Sequence, residues 1–134
     1  MKAFIICSIR SLEADYSRLL WVRSELLSQG YQINEDWLNY RLSFVDNKPK
    51  FKQSPSYDYL KVAIDSIQDA DLVIIFLSVE SAYSATLFKY AVHNGKRVIV
   101  IFRYSKHLLK LQMSGINSIS YIKATSYKQI KQLL

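Results

Sequence analysis

Two stretches of this 134-residue chain are apolar at every position: Leu72-Val73-Ile74-Ile75-Phe76-Leu77 and Val98-Ile99-Val100-Ile101-Phe102. A strand with one wet face alternates apolar and polar residues, whereas an unbroken run of this length suits a parallel strand covered on both faces. Between the two runs, about Ala82 to Asn94, residues Ala85, Phe88 and Val92 recur at helical spacing, and Gly95 follows as a stop signal. Strand, helix and strand in that order form a βαβ unit, whose crossover is right-handed and whose strands are parallel. The sequence therefore predicts Leu72–Leu77 as the central strand with Val98–Phe102 beside it.

The remainder reads as further units of the same kind. Lys2–Ser8 is a β-branched and aromatic run, and Ala14–Gln29 places Tyr16, Leu19, Leu20, Leu26 and Leu27 at helical spacing before Gly30. Tyr31–Ile33 is a short second strand. A polar stretch then runs to about Ser54 and contains Trp37, Tyr40, Phe44 and a turn at Lys48-Pro49-Lys50; a loop of that length in a small domain suits a lid. Ser54 as N-cap and Pro55 in the first turn predict a helix to about Gln68, with Leu60, Ala63, Ile64 and Ile67 on its apolar face. The tail offers a helical stretch near Ser105 to Gln112, a short strand at Ile119–Ile122, and a helix from Thr125 as N-cap through Leu134. Strands alternating with helices give an α/β fold: a doubly wound, flavodoxin-like, five-stranded parallel sheet of order 2-1-3-4-5. No repeat, low-complexity segment or boundary divides it, so residues 1–134 are expected to form one domain.

Several function classes fall away. The lone cysteine, Cys7, sits in the first apolar run, where a small buried core residue is the simpler reading than a reactive thiol. That run is shorter than a signal-peptide core, and no stretch approaches the roughly 18 apolar residues of a membrane span. A soluble, cytoplasmic protein without membrane partners is expected. The net charge of +7 is distributed unevenly: all eleven carboxylates precede residue 81, while the nine Lys and Arg after it are unopposed. Such a half attracts phosphates or polyanions. Its cations are spread over several elements and not interleaved with aromatics on one face, so nucleic acid is not an expected partner.

In an open parallel sheet the ligand crevice lies beyond the carboxyl ends of the strands, where strand order reverses. Here that point is lined by Ser8-Ile9-Arg10-Ser11 and by Ser78-Val79-Glu80-Ser81-Ala82-Tyr83-Ser84, with Arg103-Tyr104-Ser105 as a further wall. These loops contain no glycine, which excludes a Walker loop and a GxGxxG fingerprint, so no cofactor is expected. The candidate ligand residues are Ser8, Arg10, Ser11, Trp37, Ser78, Ser81, Tyr83 and Ser84. Ser81 and Ser84 suit a helix cap as well as a sugar or phosphate, and Arg10 suits a phosphate as well as an ion pair with Glu13 or Asp15. His93 and His107 have no partner at metal-ligand spacing, so no metal site is expected. Trp37 or Tyr83 would stack on a base.

The stretch Ile67-Gln68-Asp69-Ala70-Asp71-Leu72-Val73-Ile74-Ile75-Phe76, with Tyr90-Ala91 and Gly95-Lys96-Arg97-Val98-Ile99-Val100, resembles the nucleoside 2-deoxyribosyltransferase-like superfamily, which commonly reads I-x-x-A-D-x-x-V, G-T-A-x-E-L-G-Y-A and G-K-P-V-I. Asp36-Trp37-Leu38 and Ile122–Leu134 are similar to its smaller members. TIR domains resemble the same pattern. The resemblance implies a nucleoside or nucleotide as the small-molecule partner and N-glycosidic hydrolysis or transfer as the reaction, and it leaves a homodimer open. It also implies a glutamate where this chain has Leu87, and often an acid where it has Ala63. No acid follows Glu80, which is left as the candidate catalytic carboxylate. Two readings result: a nucleoside- or nucleotide-binding protein that is an N-glycosidic hydrolase or transferase or a catalytically degenerate relative, and a non-catalytic TIR-like signalling or interaction module.

Overall fold

The computed structural model describes residues 1–108 and 118–134. Five parallel strands, β1 (Lys2–Cys7), β2 (Gln32–Ile33), β5 (Leu72–Leu77), β6 (Arg97–Phe102) and β7 (Ile119–Lys123), form a sheet of order β2-β1-β5-β6-β7. Counting only the strands of this sheet, that is the 2-1-3-4-5 order. β5 is buried at every position, flanked by β1 in the register Ala3↔Leu72 to Cys7↔Phe76 and by β6 in the register Leu72↔Arg97 to Leu77↔Phe102. The carboxyl ends of β1, β5 and β6 thus lie level at one edge.

Helices cover both faces. α1 (Leu12–Ser28) and α5 (Tyr127–Leu133) share one face, where the rings of Trp21 and Tyr127 meet edge to face at 4.8 Å. α3 (Tyr59–Gln68) and α4 (Ala82–His93) pack together on the other, where the Gln68 amide donates to the Tyr90 hydroxyl at 2.7 Å. Gly30 and Gly95 end α1 and α4 in the same way. Each has positive φ, +89° and +71°, and each sends its N–H and that of the next residue back to the last turn, Gly30 to Leu27 and Tyr31 to Leu26, Gly95 to Val92 and Lys96 to Ala91. This closing motif needs the left-handed backbone that glycine adopts without strain. Among the described residues no helix is long and apolar enough to cross a membrane.

The stretch read as one long loop holds secondary structure of its own. It holds the one-turn helix α2 (Trp37–Tyr40) and an antiparallel hairpin of β3 (Leu42–Val45) and β4 (Lys48–Phe51). The turn is Asp46-Asn47, both at positive φ, 51° and 63°, as a two-residue hairpin turn requires. Lys48-Pro49-Lys50, expected as the turn, lies in β4. Pro49 faces Phe44 one pair beyond the turn, where antiparallel pairing alternates to a position without ladder bonds, so its missing N–H costs nothing. Pro49 is buried, and β4 packs on α1, with Tyr16 and Phe44 in edge contact at 5.7 Å.

Helix starts also shift. α3 begins at Tyr59 and not at Pro55, because the Asp58 carboxylate accepts the Lys61 N–H at 3.1 Å and caps it, while the Ser54 hydroxyl is taken up with that of Ser56. α5 begins after Ser126 rather than Thr125, and α1 begins at Leu12, after a 3-10 turn over Ile9–Ser11. The helical stretch expected from Ser105 to Gln112 is a 3-10 turn over Ser105–Leu108; its later part falls outside the described residues.

Burial of β5 on both faces makes the domain sensitive to its largest side chain there. Phe76, fully buried, replaced by alanine is expected to cost about 3–5 kcal/mol of the roughly 5–15 kcal/mol that holds such a domain, measured by urea unfolding. A loss below about 1 kcal/mol would contradict the central placement of β5.

Candidate functional site

The loops after β1 and β5 are fastened to each other by serine hydroxyls. Ser8 caps the 3-10 turn, accepting the Ser11 N–H at 3.3 Å and donating to the Ser11 hydroxyl at 3.2 Å. Ser11 in turn accepts the Val79 N–H at 3.0 Å across the crevice. Ser78 donates to a carboxylate oxygen of Asp15 at 2.6 Å, and Ser81 caps α4 by accepting the Ser84 N–H at 3.3 Å. Asp15, on α1, is buried at 1% exposure, and its second oxygen has no partner. Burial raises its pKa above the usual carboxylate value, against the opposing pull of Ser78 and Arg18.

Beyond these loops a cavity of about 270 Å³ opens at the carboxyl end of β1. Its walls come from four places: Ser8 and Arg10 after β1, Glu35 and Trp37 after β2, Phe51, Tyr57 and Tyr59 between β4 and α3, and Ser81 and Tyr83 at the start of α4. The character is aromatic. The Trp37 and Phe51 rings lie 5.2 Å apart and those of Tyr57 and Tyr59 4.7 Å apart. Arg41 lays its guanidinium over the Tyr57 ring at 3.7 Å and donates to the Tyr59 hydroxyl at 3.3 Å, while its buried Nε has no partner. Burial pushes the Tyr83 hydroxyl up to about 12. Burial, together with donation to Glu35, does the same for Tyr57, also to about 12. Both phenols stay protonated and able to donate.

A second, wider cavity of about 810 Å³ adjoins the first, sharing Arg10 and Ser81 with it. Glu80, Thr86, Lys89, Lys106 and His107 also line it. Among the described lining residues Arg10, Lys89 and Lys106 stand against the one carboxylate of Glu80, which makes this side attractive to anions. Among the described residues Arg10 makes no ion pair; Asp15 pairs instead with Arg18 at 3.5 Å, and Glu13 with Lys48 at 3.5 Å.

The expected site residues therefore divide. Ser8, Arg10, Trp37, Ser81 and Tyr83 meet at the aromatic cavity. Ser11, Ser78 and Ser84 lie outside both cavities, the first two holding loops together and the third buried in α4 with its hydroxyl unpartnered. Glu80 faces the basic cavity and not the aromatic one. Leu87 is fully buried with Ser84, Phe88 and Ala91, away from both cavities, while Ala63 lines the aromatic one. Cys7 is buried, which raises its thiol pKa well above the ordinary value. Glu35, Arg41, Phe51, Tyr57 and Tyr59 were not marked by the sequence, because all five belong to the stretch read as a loop or to the expected start of α3. Their one sequence signal is the density of aromatics between residues 51 and 59.

No family model matches the chain, and no curated protein matches it. Among solved structures it is similar to the CMP N-glycosidase BcmB of Clostridium botulinum, with a TM-score of 0.66 and 19% sequence identity, over 99% of this chain and 97% of that one. At this identity the likeness is one of fold, and it runs from end to end.

Because the folded protein holds a proton on Asp15 more tightly than the unfolded chain does, Asp15 takes stability away as pH rises through its raised folded value. Asp15→Asn keeps an acceptor for Ser78 and removes that titration. The melting temperature of the variant, relative to wild type, is expected to climb as pH is raised from 4 to 7; a constant or falling difference would contradict the assignment.

Proposed function

We propose that the chain is a nucleotide-binding relative of the nucleoside 2-deoxyribosyltransferase-like superfamily, with the base in the aromatic cavity, the phosphate on Arg10, and N-glycosidic turnover slow or absent. The observation that carries this reading is that the aromatic and the basic cavity share Arg10 and Ser81 in their walls. Flat aromatic walls suit a base, an arginine with no ion pair among the described residues suits a phosphate, and the two lie side by side at the strand-order reversal where α/β sheets take their ligands. The fold-level likeness to a CMP N-glycosidase supports the same class of ligand.

Slow turnover follows from where the carboxylates are. The family pattern calls for an acid at the position of Leu87, which is here fully buried, and often at that of Ala63, which is a methyl group in the cavity wall. Of the carboxylates that line the two cavities among the described residues, Glu35 already accepts the Tyr57 hydroxyl on the base side, which leaves Glu80, facing the basic side, as the acid for an enzymatic version of this reading. Loss of a fixed charge that stabilises an oxocarbenium-like transition state is an effect of several kcal/mol, hence about a thousandfold or more in rate. Leu87→Glu would bury a charge in the core and not restore an acid to the cavity.

In a thermal-shift screen, a 5′-mononucleotide at a hundred times its Kd adds roughly 2.7 kcal/mol and is expected to raise the melting temperature by on the order of 10 °C, an increase that Arg10→Ala reduces. Chromatography of CMP incubated with the protein should show little free cytosine over hours. Rapid base release abolished by Glu80→Gln would make Glu80 catalytic and contradict this reading.

A further inference from the structure

Among the described residues lining the aromatic cavity, Glu35 is the one carboxylate. Its backbone has φ +42°, a left-handed conformation that a glutamate adopts only under strain and that persists where neighbours over-determine it. The neighbours do so here. On one side the Asn34 N–H bonds the Ala3 carbonyl at 2.8 Å and its side-chain amide bonds the Ser66 carbonyl at 3.2 Å. On the other, Asp36 takes a bidentate pair from Arg23, with contacts of 2.6 and 2.9 Å, and the Trp37 N–H returns to the Glu35 carbonyl at 2.7 Å. A solvated loop glutamate needs none of this. The Glu35 carboxylate then accepts the Tyr57 hydroxyl at 3.0 Å through Oε1, the same Tyr57 whose ring carries Arg41, and no hydrogen bond among the described residues reaches Oε2.

A carboxylate accepts and never donates, and a guanidinium donates and never accepts. Glu35 and Arg41, one bonded by the Tyr57 hydroxyl and the other lying over the Tyr57 ring, therefore bring an acceptor and a donor to the same aromatic wall. The edge of a base that fits them carries an amine beside a ring nitrogen or carbonyl. A base with a carbonyl in place of the amine would set its oxygen against the carboxylate. Resting on the nucleotide-binding reading above, we infer that Glu35 is a specificity-determining residue that selects bases bearing an exocyclic amine over their oxo counterparts.

Calorimetric Kd values for CMP against UMP, and for AMP against IMP, test this directly. In each pair that binds, the wild-type protein should favour the amino base about tenfold or more, the worth of one charge-assisted hydrogen bond. Glu35→Gln preserves an acceptor for Tyr57, and Glu35→Ala removes the group altogether. Both should bring the ratio toward one, with melting temperature checking the fold. A wild-type ratio of one or below, or a ratio unchanged in both variants, overturns the inference while leaving nucleotide binding intact. Absence of binding by all four nucleotides overturns the underlying reading and this inference with it.

Discussion

The site rests on how the edge of β1 is completed. β2 is two residues long, so its ladder with β1 stops early, and the Ile5 carbonyl would be left without a strand partner in a buried setting. The indole N–H of Trp37 supplies that bond at 2.8 Å. An unmade hydrogen bond there would cost about 1–3 kcal/mol, so Trp37 is held against the sheet. Its ring forms the floor on which Phe51 packs, and the chain on either side is drawn into the tight turn that carries Glu35. One side-chain bond therefore ends the sheet and opens the cavity.

The charge asymmetry of the sequence has a narrower structural meaning than its size suggests. Of the nine cations after residue 80, Lys89 and Lys106 are those of the described residues that line the basic cavity. Lys96 is spent on the Gln68 carbonyl at 2.9 Å and Arg97 bonds the Leu133 carbonyl, both at the opposite end of the strands. The two cations that line the proposed base site among the described residues, Arg10 and Arg41, both come from the acidic half of the chain. Likewise Asp69 and Asp71, prominent in the family-like stretch, serve β1 from its amino end, where Lys2 meets them at 2.9 and 2.8 Å.

What the sequence made legible was whatever repeats. The runs at β5 and β6, the helical spacing of α1 and α4, and the glycines that end those helices carry periodicity or a stop signal, and the sheet order follows from them. The hairpin was hidden because Asp46-Asn47 is a weaker turn signal than the proline beside it, and because a two-stranded ribbon on the outside of α1 has no need of strict alternation: Ser43, Phe44 and Val45 are all exposed. The crevice loops were placed by topology, but the division of their serines into scaffolding and cavity wall depends on individual hydrogen bonds. Glu35 and Arg41 were invisible for the same reason. Their role comes from a left-handed turn and a ring stacked beneath a guanidinium, features that exist only once Tyr57 has been brought back across the sheet edge.

Trp37 offers a direct reporter. Trp21 packs against Tyr127 and does not line the aromatic cavity, and its replacement by phenylalanine leaves Trp37 as the single tryptophan of the chain. Titrating Trp21→Phe protein with a 5′-mononucleotide should quench the remaining emission saturably, with the Kd that calorimetry gives, because the base stacks within the cavity that Trp37 lines. Unchanged emission at concentrations where calorimetry shows the protein saturated would place the ligand elsewhere and contradict the aromatic cavity as the base site.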